Sequence, residues 1–342
     1  MTIDANQEGL IIGVIGAGTM GRGIAQVAAV GGCTVKLFDA NHDAALDAAS
    51  FIEKMLGRAV ERGRMEDPDA KAAITRLEVV KNVSDLAPCP IVIEAVIEDL
   101  DIKRQVFAEL ETIVAEDAIL ASNTSSLSVT LIAASCKRPE RIAGMHFFNP
   151  VPLMRLVEVI DGARTGPGVA STLLELGKRM GRVSVRVGDA PGFLVNQIGR
   201  GFTVESAHIY EDGIANFYDI DRILRDGVGF RMGPFELMDL TALDTTHPAT
   251  EMIYRQFNDE PRYRPSLMMS LRMEAGLLGR KVGQGFYGYP DGSLVGEDEP
   301  PAPLYDGRSV WVSKHEPEAS EAVRQAVIDG GGNLENGQAP CP

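Results

Sequence analysis

The segment Gly16-Ala-Gly18-Thr19-Met20-Gly21 follows directly on an apolar run, Leu10–Ile15, and opens a helical pattern that continues to Val30. Asp39 closes a second apolar run, Thr34–Phe38, 18 residues after Gly21. A G-x-G-x-x-G tract says little alone. Between a strand and a helix, with an acidic residue at this spacing, it reads as a β-α-β unit that holds a dinucleotide. Gly16 permits the tight turn, Gly18 lets backbone approach a pyrophosphate, and Gly21 lets helix pack on strand. Thr19 and Met20 complete the turn, and the helix start offers unpaired N–H groups to phosphate. Asp39 would accept from ribose hydroxyls and repel a 2′-phosphate, which favours NAD over NADP.

The rest of the first half extends this pattern. Ile91–Ile93, Ile119–Ala121, Arg141–Phe147, Leu156–Ile160 and Val183–Val187 are further strand candidates, and Ala44–Arg62 and Ile102–Val114 carry helical spacing. Alternating strands and helices predict an α/β domain with a mostly parallel sheet, covered by helices on both faces. Near Asp189-Ala-Pro-Gly192 the pattern becomes mostly helical, with Leu194, Ile198, Phe202 and Ile209 near one face of a helix. We expect a Rossmann-like domain over 1–188, a helical domain over 189–290 and an extension over 291–342. Turn signals run from Tyr289 to Pro303 and from Gly330 to Pro342. Between them lie a strand candidate, Val310–Val312, and a helix candidate, Glu318–Ile328. The extension is too short to bury a core alone and reads as an appendage or the opening of a further domain.

The 342 residues carry 33 basic and 48 acidic side chains, a net charge of −15. That disfavours nucleic acid as the main partner, because phosphate backbones need a basic surface. No apolar run reaches the roughly 18 residues of a membrane span. Cys33, Cys89, Cys136 and Cys341 show no paired spacing and read as reduced thiols of a cytoplasmic protein. The five histidines lack metal-ligand spacing, so no metal is expected.

His146 ends a strand, and Glu158 interrupts the next apolar run. Each alone fits a bland role: a satisfied structural histidine, or a glutamate facing water at a sheet edge. Together they suggest more. If that strand is buried, Glu158 needs a partner. Hydride removal from an alcohol needs a base for the hydroxyl proton, and His titrates in the right range. A carboxylate on the other ring nitrogen would fix the tautomer. The tract Ser122-Asn-Thr-Ser125-Ser126 follows a strand. It reads either as a helix cap or, through Ser125, as a hydrogen-bond partner of the reacting oxygen. Asn196 opens the first long helix of the second domain, as a capping residue or a site residue.

These residues, in order, resemble the L-3-hydroxyacyl-CoA dehydrogenase family, also called 3-hydroxybutyryl-CoA dehydrogenases. The resemblance rests on Gly16–Gly21, Glu94-Ala-Val-Ile-Glu98, Ser122–Ser126, His146-Phe-Phe-Asn-Pro150, Glu158 and Pro191-Gly-Phe-Leu-Val-Asn196. It continues through Met232-Gly-Pro-Phe-Glu-Leu237 and Gly279-Arg-Lys281-Val-Gly-Gln-Gly285-Phe-Tyr287, covering about residues 9–290. It implies a Rossmann domain joined to a helical domain that forms a homodimer, and NAD-dependent oxidation of a 3-hydroxyacyl-CoA thioester. His146 would be the general base, Glu158 its orienting carboxylate, and Ser125 and Asn196 the groups around the substrate oxygens. Asp39, Glu98, Lys103 and Lys281 fall where the family contacts NAD. Gln197 stands where many members carry Arg.

An anionic CoA moiety needs a local basic patch on so acidic a chain. Arg58 and Arg62 are one helical turn apart, with Arg64 following; the other reading is a solvated face paired with Glu61 and Glu66. Two other functions fit the same residues: a dehydrogenase of a free hydroxy acid or sugar acid, and a non-catalytic NAD-binding protein.

Overall fold

The computed structural model of the chain describes residues 3–296 and 304–337. One compact unit runs to Val295 and a second begins at Gly296. The first holds an eight-stranded sheet in the order β3-β2-β1-β4-β5-β6-β7-β8. Its strands are β1 (Ile11–Ile15), β2 (Thr34–Phe38), β3 (Leu77–Val79), β4 (Ile91–Glu94), β5 (Ile119–Ser122), β6 (Ile142–Phe147), β7 (Leu156–Asp161) and β8 (Val183–Gly188). Every neighbouring pair is parallel except β6–β7, which is antiparallel. The predicted α/β class and seven predicted strands are present; β3 is an eighth that the pattern did not reveal.

Helices α1 (Thr19–Val30), α2 (His42–Glu61), α3 (Asp67–Thr75), α4 (Leu100–Ile113), α5 (Val129–Ala133) and α6 (Val169–Arg179) cover the sheet. Strand side chains alternate between faces. Ile12, Val14, Ile91 and Ile93 therefore enter one core with Ile24, Ile52 and Leu173. Ile15, Val92 and Leu120 enter the other with Phe107, Leu110 and Ile132. Two buried faces explain why these strands read as unbroken apolar runs.

The helical part contains α7 (Val195–Glu211), α8 (Phe217–Arg222), α9 (Pro234–Thr241), α10 (Leu243–Gln256) and α11 (Leu267–Glu274). Its core gathers Ala207, Phe235, Met238, Leu243 and Met269 with Phe286 and Tyr287. One expectation is corrected here. The apolar face read on α7 is not its core face: Leu194, Ile198 and Ile209 are exposed, while Thr203, Val204 and Ala207 are buried. Small and polar residues line the inside because α9 and α11 pack close against α7.

Two buried carboxylates hold this part together. Asp221 accepts from the backbone of Phe235 at 2.8 Å and Glu236 at 2.9 Å, and from the Tyr287 hydroxyl at 2.8 Å. Asp239 accepts from the backbone of Phe286 and Tyr287, both at 2.9 Å. A Cβ at Gly285 would lie 2.0 Å from Asp239 Oδ1, which accounts for glycine at that point of the motif.

In the second unit, Val310 makes one parallel bridge to Leu334 around α12 (Pro317–Asp329). The expected helix is there, and the expected strand is reduced to that bridge. Cys341, the end of the Gly330–Pro342 turn and the 297–303 stretch of the Tyr289–Pro303 turn lie outside the described residues. Among the described residues, Cys33, Cys89 and Cys136 are free thiols, and no helix is long and apolar enough to cross a membrane.

Candidate active site

The parallel strands bring their carboxyl ends to one edge, and the strand order reverses at β1, between β2 and β4. Ligands of open α/β sheets bind in the crevice at such a reversal. Gly16 stands there with φ of +93°, and a Cβ on it would meet the Ala95 carbonyl oxygen at 2.5 Å. At Gly21 a Cβ would lie 1.7 Å from the Gly16 carbonyl oxygen. Both glycines are thus required by the turn itself. Gly18 differs: a Cβ there meets nothing within 4 Å, so its face is open. It caps α1 without a side-chain acceptor, and the first turn carries no acid. The N–H groups around Thr19 and Met20 are therefore open to an anion.

Asp39 sits under this turn. Its Oδ2 accepts from Ala17 N at 2.7 Å and its Oδ1 from Asn41 N at 2.8 Å. Each oxygen keeps a lone pair for a ribose hydroxyl. The open glycine, the uncapped helix start and the acid beside them fit a dinucleotide.

A second group of residues forms a floor next to the glycine turn. Lys103 is 1% exposed, and its ammonium meets Glu94 at 2.6 Å and Glu98 at 3.3 Å. Glu94 also accepts from Ser122 Oγ at 2.7 Å and Val96 N at 2.7 Å. Glu98 accepts from Thr124 Oγ1 at 2.6 Å, Ser125 N at 2.8 Å, and Ser126 N and Oγ at 3.0 and 2.9 Å. Burial raises the Glu98 pKa, but the Thr124 hydroxyl, Lys103 and the two serines outweigh it and hold the group below its ordinary value.

The polar tract is therefore spoken for almost in full. Asn123 Oδ1 receives Phe147 N at 2.9 Å, and the cap of α5 is Ser128 rather than any of residues 122–126. Ser125, exposed and only 3.4 Å from Glu98 Oε1, has the least committed hydroxyl of the tract.

His146 and Glu158 face each other directly across the antiparallel β6–β7 pair. Their side chains meet at 2.6 Å, Nδ1 to Oε2, with exposures of 4% and 0%. The other carboxylate oxygen accepts from Leu194 N at 3.0 Å and Val195 N at 2.8 Å, at the start of α7. Three donors thus offset the burial of a charge that would otherwise cost several kcal/mol. With Nδ1–H given to Glu158, Nε2 is the ring nitrogen able to take a proton. Phe148 and Phe193 lie beside the imidazole, with ring centroids at 4.4 and 5.8 Å. Asn196 follows one residue after Val195, on the same first turn of α7.

Sequence reasoning missed Asp189. It caps α5, receiving Val129 N, Thr130 N and Ser128 Oγ at 3.0, 2.7 and 2.7 Å. It thereby ties the segment before α7 to the start of α5, just after the polar tract. An Asp next to Pro and Gly reads as a plain turn, so no signal marked it.

A cleft of about 640 Å3 opens between α1, α2 and the loop after β6. Arg22, Arg58, Arg62 and Arg64 line it, with apolar walls from Phe51 and Met55. No carboxylate among the described residues pairs with Arg58, Arg62 or Arg64, so the expected partners Glu61 and Glu66 are not engaged. Lys281 is elsewhere. It lies in the helical part, where its ammonium pairs with Asp244 on α10 rather than with any group of the glycine turn. Gln197, in place of the more usual Arg, donates to the Tyr263 hydroxyl at 3.2 Å.

Comparison with known proteins gives the geometry a family. Residues 11–190 match the 3-hydroxyacyl-CoA dehydrogenase NAD binding domain, and residues 192–289 match the C-terminal domain of the same enzymes. A 3-hydroxyadipyl-CoA dehydrogenase of Escherichia coli K12 is 41% identical over 276 residues, 81% of this chain and 58% of that protein. A probable 3-hydroxybutyryl-CoA dehydrogenase of Bacillus subtilis is 39% identical over 278 residues, 81% of this chain and 96% of that protein. The crystal structure of an E. coli K12 3-hydroxybutyryl-CoA dehydrogenase superposes with a TM-score of 0.82 at 38% identity, covering 90% of this chain and 64% of that one. The chain therefore spans under two thirds of the long relatives and nearly all of the short ones. It belongs to the 3-hydroxyacyl-CoA dehydrogenase family and carries that family's NAD-binding domain.

Proposed function

We propose that this protein oxidises a (3S)-3-hydroxyacyl-CoA to the 3-ketoacyl-CoA, reversibly, with His146 as the general base. The observation that carries the reading is the His146–Glu158 bond of 2.6 Å at the carboxyl end of the sheet. NAD, when bound, accepts the hydride from C3. The Gly16–Gly21 turn and Asp39 hold the nucleotide, and Glu98 and Lys103 brace the neighbouring floor. Ser125 and Asn196 position the substrate oxygens. His146 Nε2 takes the 3-hydroxyl proton while Glu158 stabilises the imidazolium. In reverse, Nε2–H returns the proton to the 3-oxygen.

The arginine-lined cleft is the docking site of the CoA nucleotide in this reading. Five guanidinium groups, those of Arg22, Arg58, Arg62, Arg64 and Arg182, supply the local positive field that a −15 chain otherwise denies to phosphate. Arg58 and Arg62 project into open solvent until that ligand arrives. We also propose that the helical part pairs two copies of the chain. In its favour, α7 and α11 are adjacent and leave Ile198, Leu267 and Leu271 each more than 60% exposed.

The test is NAD reduction followed by absorbance, with 3-hydroxybutyryl-CoA and free 3-hydroxybutyrate side by side. Reduction with the thioester alone supports the reading. Reduction with the free acid alone makes the protein a hydroxy-acid dehydrogenase. NADH binding without turnover on either makes it a nucleotide binder.

A further inference from the structure

Outside glycine, left-handed backbone among the described residues falls at Phe193, Ala242, Asn258 and Asp259. Asn258 and Asp259 are of the types that tolerate it, and Ala242 forms the corner between α9 and α10. Phe193, with φ of +49°, is the bulky case. A side chain of that size strains the chain there, and such strain persists only where the surroundings hold it. Gly192 before it has φ of +74°, so two consecutive residues are left-handed just before Leu194, the cap position of α7.

The turn is held at both ends. Upstream, Asp189 is fixed by three donors from the start of α5, and Phe193 N donates to Ala190 O at 2.8 Å. Downstream, the Leu194 side chain cannot accept a hydrogen bond, so the first amides of α7 need an acceptor from elsewhere. Glu158 supplies it. Its Oε1 takes Leu194 N at 3.0 Å and Val195 N at 2.8 Å, while its Oε2 holds His146 Nδ1 at 2.6 Å. In between, the Phe193 side chain is buried with Val92, Leu120, Ile132 and Ile160. Its ring centroid lies 5.8 Å from that of the His146 imidazole. One residue thus belongs both to the turn that presents the amides and to the packing around the ring that Glu158 orients. A turn that only had to lead a strand into a helix would carry Gly here without strain. Phe is accounted for when its ring is what pins the turn.

We infer that Phe193 is a positioning residue of the reaction: its buried ring holds a left-handed turn that aims the Leu194 and Val195 amides at Glu158, and through Glu158 fixes the imidazole of His146. This rests on the dehydrogenase reading above and adds a residue to its machinery.

The experiment measures kcat and KM for 3-hydroxybutyryl-CoA, with NADH titration as the check on folding, in wild type, Phe193→Ala and Phe193→Gly. Both variants lack the ring, and only alanine keeps the Cβ that opposes a left-handed turn. Phe193→Ala should lose roughly 10- to 100-fold in kcat, the cost of a misplaced catalytic group, with KM and NADH affinity little changed. Phe193→Gly should recover about threefold or more of that loss. A residue that merely filled the core would give the opposite order, because glycine leaves the larger hole and the looser chain. Glycine no better than alanine, a loss confined to KM, or wild-type kcat in Phe193→Ala each overturns the proposal. Phe193→Leu, the milder change, decides the matter if the two small variants no longer bind NADH. Its Leu194 and Val195 amides should exchange with deuterium about threefold faster or more than in wild type, while β4, β5 and β6 keep their rates. Unchanged exchange at those amides overturns the proposal. A wild type without turnover sinks the dehydrogenase reading instead, and the exchange rates still score the turn.

Discussion

Glu158 divides its carboxylate between two tasks. One oxygen holds the His146 ring and the other holds the first turn of α7. Replacing His146 with Gln should lower turnover about 100- to 10,000-fold, the usual contribution of one acid–base group. NADH affinity, read by fluorescence titration, should stay, because the nucleotide contacts proposed above lie at the glycine turn. Glu158→Gln should also lower turnover with NADH affinity intact. The amide can still accept from α7 or from the ring, but it cannot balance an imidazolium. A normal rate in either variant would remove that residue from the chemistry. At this scale the sequence was most legible where residue types are scarce. A histidine closing a strand and a glutamate inside an apolar strand stand out. Asp189 and Asp221 did not, because an aspartate that caps buried N–H groups looks the same in sequence as one facing water. The nearby glycines were the readable trace: a Cβ at Gly233 would lie 2.4 Å from Asp221 Oδ1.

At the scale of elements, the strand–turn–helix at Gly16 was legible almost to the residue, since three glycines and one acid are demanded by separate steric and electrostatic needs. Strand β3 was not. It is three residues long at the edge of the sheet, and Glu78 at its centre faces solvent and pairs with Lys36. Helix α3 buries only Ala70 and Ala73, too little for a periodic signal. On α2, charge reversal at Arg58 and Arg62 should raise KM for a CoA thioester about tenfold or more, and the effect should shrink in high salt. Unchanged KM would return the arginines to the status of a solvated face.

The α9 cap makes a pH prediction. Burial pushes Asp221 up to about 6, against hydrogen bonds from Phe235, Tyr287 and Glu236 that favour the charged form. With the folded value above the unfolded one, this group adds most stability at low pH and loses it as pH rises through about 6. The stability gap between wild type and Asp221→Asn, measured by denaturant midpoint, should therefore narrow between about pH 4 and 6. A gap that widens over that window would mean the hydrogen bonds dominate.

For the whole molecule, the sharpest departure from expectation concerns α7. Its apolar residues look outward, and periodicity alone cannot tell an outward apolar face from one that meets a core. Sedimentation should give a dimer, and Ile198→Asp with Leu271→Asp should shift it toward monomer. A wild-type monomer at micromolar concentration would end the pairing proposal.

The anchoring of Glu158 to α7 also divides labour between the two halves of the enzyme. The sheet by itself owns the nucleotide pocket and the imidazole, yet the fixed aim of that imidazole is borrowed from backbone amides belonging to the other half. Severed from those amides, the Rossmann half would keep the imidazole on Glu158, but with one carboxylate oxygen stripped of its two donors and free to swing. Recombination that swaps helical halves among relatives must therefore preserve this seam along with the Asp189 tie beside it.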